Sequence, residues 1–487
     1  MHQPKEDGVP SRIAAWRWPL AGSIAARIRA GRLRLKFTAV GERETESLWN
    51  ATAGFFAVVP FLAAGKVMYS LSVPNAYRPN FLVWWAVGLA ACGLPLSLVA
   101  RRRAKGAAPA GLPWYFSAEA WSTFAVFTAF LGLYAITGVQ TAYNEQVFQA
   151  VAFLHGHTYV NVPSVIEHAQ IGRYSYALHP PLSAILLIPL VAIWGLDTNE
   201  MLFSLVVGVV GMALVWRLLN RFGLRTNARV WLAIFFGAGT TFWCETVMGN
   251  TWSLPETVSV CFTVAALIEV FGQARPFWLG VFSALACFAR YDQALAVPIF
   301  ALIAWLRGRK ISELLWMAPG FIVVGIAFVG FNEARFNSFF DQGVALTGPK
   351  NAPAFGLRYL PGNLYTVFLL APNLSDHFPY IRPTYGGQCL ALTSPAFVLA
   401  FRASLKRAVP ALMLLAAGLA SLPSLLCYAN GFAQFGTRHY VQVYPFLLVM
   451  MAIGMRRGPD QLVKVLTVAS TILVAYGIWH FEMWGWT

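Results

Sequence analysis

Charge is scarce in this chain: only 11% of its 487 residues are Asp, Glu, Lys or Arg, whereas soluble domains carry about 25%. Acid is scarcer than base, with 20 Asp and Glu against 36 Lys and Arg. Cysteine is sparse and scattered. Cys92, Cys244, Cys261, Cys287, Cys389 and Cys427 lie mostly inside apolar runs, with no C-x-x-C and no metal-ligand spacing. Neither a disulfide nor a zinc site is inferred from them. No Walker loop, G-x-G-x-x-G fingerprint or H-E-x-x-H occurs, which leaves an ATPase, a Rossmann enzyme or a zincin unsupported. Internal repeats and low-complexity tracts are missing too. The first long apolar run begins only near Ala51, so no cleavable signal is expected.

Apolar residues are what the chain has in excess, 58% of it against about 45–50% in soluble domains. One buried core does not absorb that much. A membrane crossing takes about 20 mostly apolar residues, and the sequence holds many such runs. It reads as an all-α polytopic membrane protein of about 13 transmembrane helices. They are expected near 51–72, 81–99, 116–138, 201–219, 230–248, 254–272, 277–289, 293–306, 313–331, 387–401, 409–428, 440–455 and 462–481. The net charge of +16 suggests nucleic acid in a soluble chain. Here the cations cluster in short loops and form no patch with interleaved aromatics, so no nucleic-acid partner is expected.

The run 182–194 is left out of the span list because about 13 residues suit a re-entrant or interfacial helix better. With that choice and a cytoplasmic N-terminus, 27 of the 36 Lys and Arg fall on the cytoplasmic side. Counting 182–194 as a span turns Arg217, Arg229, Arg307, Arg402 and their neighbours outward, against the positive-inside rule. Residues 1–48 form a basic cytoplasmic segment with nine Lys and Arg. It lies on an anionic membrane surface or is an unstructured tail that fixes orientation. Residues 49–115 hold two additional N-terminal spans, and 116–487 form the main membrane domain. That domain has two long outer stretches, 140–200 and 332–386, the first with short interfacial helices.

Ionisable residues near membrane depth are functional candidates by default, and here they gather at the outer face. Glu145 in Tyr143-Asn144-Glu145-Gln146-Val147-Phe148 is a candidate general base at a helix end, or else a solvated helix-end carboxylate. His179 precedes Pro180-Pro181-Leu182, where prolines open a short helix. It lines a polar cavity expected between the long outer loops, or it belongs to a structural turn. Arg438 in Gln434-Phe435-Gly436-Thr437-Arg438-His439-Tyr440 can grip a phosphate, or it anchors the chain at the interface beside Tyr440. Arg290-Tyr291-Asp292 reads as a second phosphate contact or an ion pair at a turn. The His155 and His157 spacing is weak metal evidence, and no metal site is expected there.

These stretches, in this order, resemble the GT-C superfamily of polyprenyl-phosphate-dependent glycosyltransferases. Protein O-mannosyltransferases and lipid A aminoarabinose transferases look like the nearest relatives. The family's D-E-x-x-[YF] motif is similar to Asn144-Glu145-Gln146-Val147-Phe148, and its [HK]-P-P-L motif to His179-Pro180-Pro181-Leu182. Gly249 to Glu256 resembles a stretch where relatives place an acid near the cavity. Phe331 to Ser338, with Arg335, resembles N-x-x-R-F-G-S-P, and Gln434 to Tyr440 resembles G-Q-F-G-x-R-Y. The resemblance runs from about residue 116 to the end.

It implies a GT-C-like fold and inverting transfer of a sugar from a polyprenyl-phosphate-linked donor to a glycan, lipid or protein acceptor. Implied catalytic residues are Glu145, His179 and Glu256. Implied substrate-binding residues are Asn144, Arg290, Arg335, Arg438, His439 and Tyr440. A divalent metal ion near Glu145 is a possible cofactor that nothing in the spacing demands. One departure matters: Asn144 stands where the family has its usual catalytic aspartate, and an amide accepts no proton. The base is then Glu145, Glu256 or Glu245, or activity is lost and the chain is a lipid-carrier-binding scaffold. A multi-pass transporter is the other alternative. The expected location is a bacterial inner membrane, with the site facing the periplasm and membrane lipids around it.

Overall fold

A computed structural model describes residues 81–106, 117–139, 143–160, 168–343, 346, 353–431, 433–455 and 458–484. The basic segment 1–48 and the span expected at 51–72 lie outside the described residues. Numbering only helices of eight residues or more, the chain runs α1 (Phe81–Gly106), α2 (Ala118–Ile136), α3 (Glu145–Leu154), α4 (Leu182–Trp194) and α5 (Glu200–Asn220). Then come α6 (Thr226–Ala238), α7 (Thr241–Met248), α8 (Ser253–Phe271), α9 (Pro276–Ala289) and α10 (Val297–Leu306). The last are α11 (Ala318–Phe336), α12 (Leu360–Phe368), α13 (Ala408–Leu426), α14 (Tyr444–Gly454) and α15 (Gln461–Trp484). Between α3 and α4 lies an antiparallel hairpin, β1 (His168–Ile171) with β2 (Tyr174–Ala177).

Among the described residues, six helices are long and apolar enough to cross a membrane: Ala118–Ile136, Glu200–Asn220, Ser253–Phe271, Ile311–Phe336, Ala408–Leu426 and Gln461–Glu482. A seventh is made if α6 and α7, bent by 52° at Gly239-Thr240, count as one. Of the other expected spans among the described residues, 81–99 lies within the 26-residue α1, and the rest are shorter or broken. Residues 387–401 divide into Leu390–Thr393 and a 3-10 turn from Pro395 to Arg402, because Pro395 begins a new helical segment. Residues 440–455 divide into a 3-10 turn, Arg438–Val443, and the 11-residue α14. The run 182–194 forms a single 13-residue helix, short of the roughly 20 residues a crossing takes.

Polar contacts sort to the two ends of the bundle. At one end Arg229 pairs with Glu119 at 2.6 Å, Arg275 with Glu269 at 2.5 Å and Arg402 with Asp460 at 2.8 Å. Arg307 there donates to the carbonyls of Val270 and Gly272 at the end of α8, where cations suit the helix dipole. At the opposite end lie Glu145, Glu200, Glu245, Glu256, Arg290, Asp292 and Arg438, all buried except the half-buried Arg290.

Helix lengths follow from this division. The helix α8 has 19 residues and rises about 28 Å, whereas the 14-residue α9 rises only about 21 Å. Starting at Arg275, α9 climbs to the level of Glu256 and stops at Arg290, and the chain turns back through Asp292 into α10. The two short helices therefore stop at the polar end instead of passing beside it.

The main core joins α2, α5, α6, α8, α13, α14 and α15 through residues such as Phe130, Val209, Phe236, Leu267, Ala416 and Phe446. A second core seats α3 and α4 on α8 and α9 through Val147, Leu187, Val258 and Phe288. Burying those apolar faces is what presses the start of α3 against the polar end of the bundle. Close approach of α5 to α7 needs Gly208, since a Cβ there collides with the Thr246 side chain.

Candidate active site

The site is built on the turn between α7 and α8. Gly249 closes α7 in the left-handed region at φ 47°, with its N–H on the Glu245 carbonyl at 3.1 Å, a helix ending that favours glycine. Asn250 then folds back, and its Oδ1 accepts the N–H groups of Trp252 and Ser253, both at 3.1 Å. This satisfies donors that the start of α8 leaves orphaned. The next residue, Thr251, staples the turn to the segment before α3. Its hydroxyl accepts the Glu145 N–H at 2.9 Å, its N–H donates to the Tyr143 carbonyl at 3.3 Å, and its carbonyl accepts from Gln146 at 3.2 Å.

Those bonds place Trp252 at the centre of the site. Its ring lies 5.0 Å from that of Tyr143 and 6.5 Å from that of His179. The Arg438 guanidinium sits 5.5 Å from the same ring, within cation–π range. Three segments singled out in the sequence thus meet on one indole. Glu145, the first residue of α3, is buried, and it has Glu200 of α5 as an electrostatic neighbour. Asn199 caps α5 by accepting the Leu202 N–H at 3.0 Å, so the Glu200 carboxyl is not needed as a cap and turns inward toward α3. Asn144 flanks α3 with no capping bond from its side chain.

Beside Trp252 lies an ion network. One oxygen of Glu256, Oε1, stands 3.3 Å from Arg290 Nη1 and 3.3 Å from His439 Nδ1. Arg290 Nη2 is 3.1 Å from the same imidazole nitrogen and 3.3 Å from Asp292 Oδ2. Burial works against the Arg290 charge, but the Asp292 and Glu256 carboxylates outweigh it and hold the guanidinium above its ordinary value. Asp292 Oδ2 also accepts from Gln442 Nε2 and, at 3.4 Å, from the Ser424 hydroxyl. The Gln442 amide is fixed in turn by Gln293 at 3.0 Å. Arg438 interacts with Glu245 and Glu256, and Ser253 hydrogen-bonds Glu245. Tyr440 follows His439 in the same turn and is buried.

The fold thus joins Glu145, His179, Glu256, Arg290, Arg438 and His439 into one continuous set of contacts around Trp252. Arg335 has Tyr291 of the Arg290–Asp292 turn as an electrostatic neighbour, while its hydrogen bonds and ring contacts lie at the β1–β2 hairpin. It stacks on Phe331 and Phe336, 3.7 Å and 4.6 Å from their rings, and donates to the Ala177 carbonyl at 2.8 Å and Asn332 Oδ1 at 2.9 Å. In that position it ties the end of α11 to the β1–β2 hairpin. Among the described residues no group of three or more His, Cys, Asp or Glu side chains is arranged to hold a metal ion. Glu145 and Glu200 offer only a pair, so no step is derived through a metal.

Four contributors are invisible to a residue-by-residue reading. Glu200 looks like an ordinary first-turn acid, Trp252 like a core aromatic, and Gln293 and Gln442 like isolated polar residues in apolar runs. A pattern did exist: amides at buried positions need partners, and Gln293 and Gln442 each follow a charged or titratable residue of the network closely. No protein-family model matches this chain, and no curated protein or solved structure matches it.

Proposed function

We propose that this chain is a membrane glycosyltransferase of GT-C type that moves a sugar from a polyprenyl-phosphate donor to a glycan, lipid or protein acceptor. One observation carries the reading. Five segments far apart in the chain meet at one end of an apolar bundle: Tyr143–Gln146, His179, Glu245–Glu256, Arg290–Asp292 and Arg438–His439. They bring buried carboxyls and two guanidinium groups within reach of a single substrate. That is the chemistry needed for displacing a phosphate at an anomeric carbon.

Glu145 removes the proton of the acceptor hydroxyl, whose oxygen attacks the anomeric carbon. The bond from that carbon to the phosphate oxygen breaks, and the lipid phosphate leaves with the electron pair. Arg438 and Arg290 meet the charge that develops on it. The activated donor makes nucleotide binding unnecessary. In this reading the chain has thirteen crossings, with α9 and the Tyr291–Leu306 segment counted among them. The arginine-rich end of the bundle lies in the cytoplasm and the site faces the periplasm of a bacterial inner membrane, as the positive-inside rule favours.

A transporter is the second reading, favoured by the 52° break between α6 and α7, since broken helices line many transport sites. The two separate on covalent chemistry. Purified protein in vesicles is given polyprenyl-phosphate sugars, and the release of free lipid phosphate is followed. Bond cleavage supports transfer, whereas movement of intact solute with no bond broken supports transport.

A further inference from the structure

His439 Nδ1 lies 3.1 Å from Arg290 Nη2 and 3.3 Å from Glu256 Oε1. A guanidinium nitrogen can only donate, and an ionised carboxylate oxygen can only accept. One imidazole nitrogen does not serve both. With a lone pair on Nδ1 the Arg290 bond is made and the Glu256 oxygen faces that lone pair. With a proton on Nδ1 the Glu256 bond is made and two N–H groups face each other. A proton held between Glu256 and His439 resolves this conflict, as soon as Arg290 is drawn away.

Two further atoms show the network to be incomplete as it stands. Arg290 Nε and Glu256 Oε2 are both buried with no hydrogen-bond partner among the described residues, and an orphaned polar atom of this kind is costly. The charged and titratable groups around the pair are Glu245 on α7, Arg290 and Asp292 between α9 and α10, Cys427 after α13, Arg438 and Tyr440 before α14, and Tyr444 on α14. Its two guanidinium groups are already matched by three carboxyls. An anion arriving here adds negative charge to a site that has no cation to spare.

We infer that seating a phosphodiester on Arg290 takes up one proton from solution onto the Glu256–His439 pair. The anion draws the guanidinium toward itself, Glu256 loses its nearest cation, and the proton replaces that charge. The added negative and positive charges cancel. This inference rests on the donor site proposed above.

The test is calorimetric titration of the purified chain in detergent with a short-chain isoprenyl phosphodiester of a sugar. A diester is chosen because a monoester has a proton of its own that titrates near pH 6. Titrations at pH 7.5 in two phosphate-free buffers of different ionisation enthalpy count the protons taken up. Uptake near one proton per diester is expected for the native chain, with none in Glu256→Gln. By reciprocity the native Kd then rises with pH, toward about tenfold per unit, a readout that needs no variant. Binding with equal heat in both buffers, or a Kd that is flat from pH 6 to pH 9, overturns the coupling and leaves the donor site standing. Uptake retained in Glu256→Gln overturns the assignment to this pair. No binding of the diester to the native chain overturns the coupling and the donor site together.

Discussion

Arg290 and Glu256 meet at 3.3 Å with unequal exposure: the Glu256 side chain is 0% exposed and that of Arg290 is 20% exposed. The fully buried carboxylate depends on the arginine more than the reverse. Removing Arg290 leaves the buried Glu256 without its cation, which costs up to about 3–5 kcal/mol where the charge remains and less at a pH where the Glu256–His439 pair takes up a proton. Arg290→Leu is therefore expected to lower the unfolding midpoint in detergent well below that of Glu256→Gln, which keeps the shape and the hydrogen-bonding capacity of the site. Equal midpoints for the two variants contradict this.

Gly249 tests the turn that holds Trp252. Its φ of +47° disfavours any side chain, and a Cβ there stands 2.7 Å from the Met201 Cα and 2.7 Å from the Ser204 Cβ. Gly249→Ala combines backbone strain with overpacking, each about 1–3 kcal/mol. A lower midpoint is expected; an unchanged midpoint shows that the turn yields without penalty.

The arginine at the far end of α11 offers a different test. Arg335 bonds the Ala177 carbonyl while lying against two phenylalanine rings, and lysine does not reproduce a planar stacked fork. Arg335→Lys is expected to loosen the β1–β2 hairpin, seen as faster amide exchange across 168–177. Unchanged exchange there removes the tie between α11 and the hairpin.

Arg229 provides a control at the opposite end. Its side chain is 8% exposed, that of Glu119 is 38% exposed, and the guanidinium lies 3.9 Å from the Trp216 ring. Arg229→Ala is expected to cost about 2 kcal/mol and Glu119→Gln less than about 1 kcal/mol, because the glutamate stays partly solvated. Distant sites act independently to within about 0.5 kcal/mol, so phosphodiester affinity should stay nearly the same. A large loss of affinity in Arg229→Ala shows that the two ends are coupled.

Helical content and the short helix at 182–194 were legible in the sequence, because the length of an apolar run and its flanking prolines show them. Prolines 180 and 181 marked the start of α4 correctly, with Pro181 immediately before Leu182. Span counting was less secure. Runs 277–289 and 293–306 have the composition of crossings, but where they stop depends on Glu256, which lies on another helix. Residues 440–455 lost their first turn to the Arg438–Val443 segment for the same reason.

The site was legible as a set of segments and not as a geometry. Arg290 and His439 carry no local sign that they share Glu256, since that contact is set by how α8, α9 and α14 pack. Glu200 is inward because Asn199 already caps α5 and α3 folds across it. Neither fact can be read from the five residues around it. Arg335 shows the reverse: its motif was visible, but its hydrogen bonds lie at the hairpin and, among the described residues, only Tyr291 links it to the Arg290–Asp292 turn.

The most direct measurement is single-turnover release of sugar from labelled polyprenyl-phosphate sugars by the purified native chain and by Glu145→Gln, side by side. The native chain should break the bond, and loss of a general base should slow it by about 10²–10⁴-fold while the lipid phosphate still binds. Equal rates in the two proteins remove Glu145 as the base and bring Glu256 and Glu245 forward. Binding of the lipid with no turnover in either protein, across several sugars, contradicts the transferase reading and leaves a lipid-carrier-binding scaffold.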